Sequence, residues 1–74
     1  MRLRIRGTGA VIEASMRYRN MGIEDDIWAW VLEVSVEDDQ RVPVMPPATG
    51  YEIVEASPEE CDRLKAGSYF GLFA

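Results

Sequence analysis

Residues Ile27 to Val36 read IWAWVLEVSV. Even positions place Trp28, Trp30, Leu32, Val34 and Val36 on one side. Odd positions place Ile27, Ala29 and Val31 on the other, followed by the polar Glu33 and Ser35. A period of two rich in β-branched and aromatic residues predicts a strand, because alternate side chains leave opposite faces of a pleated backbone. The pattern predicts burial on both faces in the first half, burial on one face in the second, and a core assembled on this strand. Nearer the start, Leu3 and Ile5 alternate with Arg2, Arg4 and Arg6. After Gly7-Thr8-Gly9 the phase inverts: Ala10, Ile12, Ala14, Met16 and Tyr18 take even positions, and Arg17 and Arg19 odd ones. A period-two pattern changes phase only at an extra residue or a bend, and glycine marks such a place. The expectation is one long strand from Arg2 to Arg19, kinked at the glycines, with every arginine on the solvent face.

Turn chemistry sets the other boundaries. Asn20-Met21-Gly22 tolerates positive φ and opens an acidic loop, Glu24-Asp25-Asp26. Glu37 to Gln40 predicts a hairpin into a strand at Arg41 to Met45, which Pro43 assigns to a sheet edge. Tyr51 to Glu55 is a further strand. Ser57-Pro58-Glu59-Glu60 carries a helix start in which Ser at the N-cap and Glu three residues on satisfy each other's main-chain donors. Lys65 and Gly67 predict the stop, with Gly67 in the left-handed conformation, so the helix spans about residues 58–66. Its inward face is Cys61 and Leu64. Ser68 to Phe73 reads as a final aromatic strand. The chain as a whole, residues 1–74, is one mainly β domain with one short helix: a small five-stranded barrel, SH3-like or OB-like, with a kinked first strand.

Composition narrows the chemistry. At 74 residues the chain sits near the lower limit for unaided folding. A single cysteine excludes an internal disulfide and the lack of histidine removes the commonest zinc ligand. Self-association as a homodimer is therefore a candidate source of stability. The opening segment lacks the apolar stretch of a secretory signal, and no run is long enough for a membrane helix, which points to the cytoplasm and away from membranes. The formal net charge is −5, unevenly spread. The first nineteen residues hold five of the eight basic residues against Glu13 alone, and the remainder holds three against twelve acids. An acidic total disfavours general nucleic-acid binding, although a local arginine stripe remains.

The segments Gly9-Ala10-Val11-Ile12 and Val31-Leu32-Glu33-Val34-Ser35-Val36 resemble small bacterial or phage barrel domains of OB-like or SH3-like type and of unknown function. The likeness covers about half the chain and transfers no functional residue.

Catalysis has little to work with. Without histidine the usual serine and cysteine constellations cannot form, and Cys61 reads as a small hydrophobe beneath the helix. The paired acids Asp25-Asp26 and Asp38-Asp39 lie in turns and lack the spacing of a calcium loop. Gly7-Thr8-Gly9 lacks the further glycine and lysine of a phosphate-binding loop. No catalytic residue, cofactor or metal is expected. The reading is a non-enzymatic module that binds another macromolecule, first of all a protein or a second copy. The alternatives are nucleic-acid binding through the arginine face and an acidic mimic of nucleic acid of phage or plasmid type. Candidate contact residues are Arg4, Arg17 and Arg19, the acids Asp25 and Asp26, and the aromatics Trp28, Tyr51 and Tyr69. Both tryptophans are read first as core, and the arginines as paired with Glu33, Glu37 and Glu52 across the strands.

Overall fold

The computed structural model describes residues 1–73. Five antiparallel strands form one sheet: β1 (Arg2–Ile5), β2 (Val11–Asn20), β3 (Trp28–Glu37), β4 (Gln40–Val44) and β5 (Tyr51–Glu55). The spatial order is β4-β3-β2-β1-β5, followed in sequence by helix α1 (Pro58–Ala66) and a 3-10 turn, η1 (Phe70–Phe73). β4 and β5 lie at opposite edges and the sheet does not close into a barrel.

The start of the chain corrects the expected kinked strand. Residues 2–5 and 11–13 pair antiparallel, with Leu3 opposite Ile12 and Arg4 opposite Val11. The Ile5 N–H donates to the Ala10 carbonyl at 2.8 Å, the Gly9 N–H returns to the Ile5 carbonyl at 2.7 Å, and Gly9 has φ +75°. Gly7-Thr8-Gly9 is thus part of a full hairpin reversal. The phase inversion has a simple cause: in this register odd residues of β1 face even residues of β2, so one apolar face is kept only if the pattern changes parity between them. β2 is divided along its length between two ladders: Val11–Glu13 pair with β1 and Ala14–Asn20 with β3. As expected, the arginines of β1 and β2 share the outer face.

The inner face is covered by α1 and the segment after it. Leu3, Ala14, Leu32, Val34, Ala48, Leu64, Tyr69 and Leu72 form the core. α1 has the capping box read from sequence: the Glu60 N–H donates to the Ser57 Oγ at 3.2 Å and the Ser57 N–H to the Glu60 carboxylate at 2.9 Å. Leu64 is fully buried and Cys61 half-buried beside it.

The helix stop differs from expectation. Gly67 has φ −85°, and the left-handed residue is Ser68 at +69°. The Tyr69 N–H reaches the Leu64 carbonyl at 2.8 Å and the Ser68 N–H that of Lys65 at 3.1 Å, which closes the C-terminus as a Schellman turn centred one residue later. Glycine is required at 67 for proximity: a Cβ there would lie 2.5 Å from the Trp30 carbonyl oxygen. This turn also rules out the final strand, since the chain must double back to bring Tyr69 and Leu72 under the sheet.

Tyr69 then joins two strands. Its hydroxyl accepts from the Leu32 N–H at 2.9 Å and donates to the Val44 carbonyl at 2.5 Å. Leu32 and Val44 are opposite each other in the β3–β4 register. The phenol is therefore wedged where the ladder would otherwise close, and past this point β3 has no strand on its β4 side, only β2 on the other.

Candidate functional site

The unequal strand lengths create the site. β2 and β3 each have ten residues, whereas β1 has four and β4 five. β1 pairs with β2 only at residues 11–13, and β4 reaches β3 no further than Leu32. The half of the hairpin from Arg17 to Asn20 and from Trp28 to Val31 projects as a two-stranded arm.

Its loop is organised by Asn20. The side-chain oxygen accepts from the N–H groups of Gly22 (3.0 Å) and Ile27 (3.2 Å), while Nδ2 donates to Asp26 at 2.9 Å. Gly22 lies against the Asp25 main chain, where a side chain would collide. Asp26 is thereby tied to the arm, and Asp25 sits in the same tight loop.

The inner face of the arm is aromatic. Tyr18 pairs with Trp30 across the strands and Asn20 with Trp28. Tyr18 stacks on Trp28 with ring centroids 5.6 Å apart and planes inclined by 21°, and contacts Trp30 at 5.3 Å. Arg63 of α1 lies over Trp30 at 4.6 Å. Beside it, Trp30, Glu59, Asp62, Arg63 and Ala66 line an open groove. Tyr18 and Trp28 remain 55% and 54% exposed, and Met21, Ile23 and Ile27 of the adjoining loop are exposed as well. The burial of β3 thus departs from the sequence expectation: its first half is not buried on both faces, and both ends of the strand are open. Its start is open because β4 stops opposite Leu32 and β1 opposite Glu13, which leaves only β2 beside it, and Val31 to Val34 in the middle are buried on both faces.

On the outer face Glu33 is only 3% exposed. Arg19 Nη1 donates to Glu33 Oε2 at 2.7 Å, and Arg17 Nε lies 3.7 Å from Oε1, which has no hydrogen-bond partner. A buried carboxylate is tolerated only when compensated, and two guanidiniums provide that here while keeping about half their own surface in solvent. Arg41 Nη1 is held by the Ser15 hydroxyl at 3.2 Å. Farther along this face Arg4 pairs with Glu52 at 2.8 Å and Arg2 with Glu55, contacts that hold both carboxyls below their usual range chiefly through the side-chain hydrogen bond. The partners are therefore Glu33, Glu52 and Glu55, and Glu37 takes no part among the ion pairs of the described residues.

The eight candidates of the sequence are scattered. Arg17, Arg19, Asp25, Asp26 and Trp28 belong to the arm. Arg4 lies on the outer face of β1, and Tyr51 is half-buried on the inner face of β5. Tyr69 must be withdrawn as a contact residue: it is 1% exposed and serves the core. Tyr18 and Trp30, aromatics outside that set of eight, belong to the arm as well, and so does Arg63 of α1 through its contact with Trp30. Counting back from the Asn20 turn sets Tyr18 beside both tryptophans, a signal present in the sequence; the position of Arg63 depends on how α1 packs and leaves no such trace. Among the described residues no three Asp, Glu or Cys side chains gather to hold a metal, and no helix is long and apolar enough to cross a membrane.

Comparison with known proteins finds no matching family model, no matching curated protein and no matching solved structure.

Proposed function

We propose that this chain is a non-enzymatic interaction module that binds another protein through the end of the β2–β3 arm. The observation that carries the reading is the exposed Tyr18–Trp28 stack. Large aromatics offer contact area at little entropic cost and are enriched where interfaces are anchored. A domain with so small a core gains most by burying them, yet here they stand out on a projecting hairpin with Met21, Ile23 and Ile27 beside them. In fold terms we read the sheet as an opened relative of the SH3-like or OB-like type, supported by the return of β5 to β1 and by the sharing of β2 between two ladders.

The arginine face gives weaker support to the nucleic-acid alternative. Arg2, Arg4, Arg17 and Arg19 are each engaged by a carboxylate of the same face, which offsets most of the charge a phosphate backbone would need. The test uses the chain with a C-terminal affinity tag, in wild-type form and as Tyr18→Thr with Trp28→Thr. Capture from an extract of the source cells should yield a protein partner with wild type and lose it with the double variant, while both melt cooperatively. The same partner recovered equally by both forms would refute the assignment. Tight, strongly salt-dependent binding of a single-stranded oligonucleotide would favour the alternative.

A further inference from the structure

From the main chain of the arm we infer that the open edge of β2, residues 16–20, accepts an extended segment of the partner as an added strand, and that this segment alternates acidic with apolar residues. The inference rests on the proposed protein-binding reading and specifies its partner.

In an antiparallel ladder the main-chain groups of successive residues point to opposite neighbours. Ala14 exchanges both bonds with Met1, at 2.9 and 3.0 Å, so its N–H and C=O point to the β1 side. By alternation those of Met16 and Tyr18 do the same. An independent check comes from across the ladder: Leu32, opposite Met16, directs its N–H to Tyr69 and away from β2. Yet β1 pairs with β2 only at residues 11–13, and among the described residues no strand lies beside β2 beyond the Met1 contact. Among the described residues no strand fills the slot collinear with β1, and the main-chain groups of Met16 and Tyr18 that face it have no partner there. Such an edge is a template for another strand.

The two faces bordering the slot define what fits. The inner side presents Met16 and the Tyr18–Trp28 stack, which suit apolar side chains at every second position. The outer side presents Arg17 and Arg19, which share the single charge of Glu33 and leave one positive charge in excess, with Arg41 on the same face. An acid at the intervening positions meets these guanidiniums. A second copy of β2 fits poorly: antiparallel pairing centred on Tyr18 would set Arg17 against Arg19 of the second copy, a like-charge opposition.

The probe is a blocked octapeptide of alternating valine and glutamate, followed by tryptophan fluorescence and amide exchange of the full chain. Controls are the valine–lysine octapeptide and a valine–glutamate form N-methylated at alternate amides. The acidic peptide should bind, protect the Met16 and Tyr18 amides, and lose about tenfold or more in affinity on N-methylation. Glu33→Gln, which removes the competing carboxylate, should strengthen its binding, and Arg17→Gln should weaken it several-fold. Preference for the lysine peptide, indifference to N-methylation, or no binding of any peptide overturns the inference. So does a concentration-dependent dimer that protects Met16 and Tyr18. In each case the proposed function stands if capture of a partner still depends on Tyr18 and Trp28, and falls with the inference if it does not.

Discussion

Replacement of Tyr69 by phenylalanine isolates one oxygen atom on which the β3–β4 junction depends. The ring stays in the core, and only the hydroxyl bridging the Leu32 N–H and the Val44 carbonyl is removed. The two groups do not suffer equally. The Leu32 amide is buried and loses its sole partner, whereas the Val44 carbonyl is on an edge strand and half-exposed, so water can replace the donor. An orphaned buried main-chain group costs about 1–3 kcal/mol and a solvated one very little, so the expected loss is about 2 kcal/mol. Total stability for a chain of this length is about 4–11 kcal/mol, which makes the loss a large fraction. Thermal unfolding should shift downward by roughly 8–16 °C. Urea unfolding should show a lower midpoint at unchanged slope, since the surface exposed does not change. A pH arm sharpens the test. Burial pushes the Tyr69 phenol above its ordinary value. Stability that depends on the neutral phenol is complete below the unfolded-state value near pH 10 and is lost as pH rises through the native one. Wild type should therefore lose stability there faster than Tyr69→Phe. A variant within about 0.5 kcal/mol of wild type, with the same alkaline profile, would refute the wedge.

Other substitutions test separate joints of the structure. Gly67→Ala sets a methyl 2.5 Å from the Trp30 carbonyl oxygen and should cost about 2 kcal/mol or more, although its φ of −85° suits any residue; Gly7→Ala, which meets nothing within 4 Å, should be close to neutral by urea denaturation. Arg19→Gln leaves the buried Glu33 carboxylate underpaired and should destabilise by about 2 kcal/mol, whereas Glu33→Gln releases arginines that water can solvate and should cost less; the reverse order would contradict the burial argument. Ser57→Ala removes half the capping box and should cost about 1 kcal/mol in chemical unfolding. Hydrogen bonding from the Ser57 N–H, then from the chain's amino group, holds the Glu60 carboxyl below its usual value. The stability it lends is present above the unfolded-state value near pH 4.3 and is lost as pH falls through the native one, so an acid titration of Glu60→Gln should show a shallower loss than wild type.

The parts of this fold that can be read from the sequence are those fixed by local chemistry. The helix start needs only the Ser57–Glu60 capping box and Pro58 at the first helical position, and the helix falls at residues 58–66 as expected. Pro43 assigns its strand to an edge, and β4 is one. Alternation identifies β3 and keeps the arginines on one face. What failed depended on distant neighbours. The inverted phase after Gly7 is compatible with a kink or a hairpin, and only the register of β1 against β2 distinguishes them. The aromatic run from Ser68 to Phe73 looks like a strand by composition, but a Schellman turn at Ser68 sends Tyr69 into the core instead. Trp28 and Trp30 occupy the same phase as Leu32 and Val34, so periodicity gives all four one face. It does not say that β1 and β4 stop short and leave the tryptophan end uncovered. The resulting site is partly legible for the same reason: residue type and turn position mark Trp28 and Asp26, whereas the Arg63 contact is set by helix packing.

If the arm end is the contact surface, β3 supplies its own control. Trp28 and Val36 lie at opposite ends of that strand and are similarly exposed, at 54% and 60%. A photo-crosslinking phenylalanine placed at each position in turn, followed by irradiation with extract of the source cells, should give a protein adduct from position 28 and none from position 36. Equal adducts at both positions, or an adduct at 36 alone, would contradict that assignment.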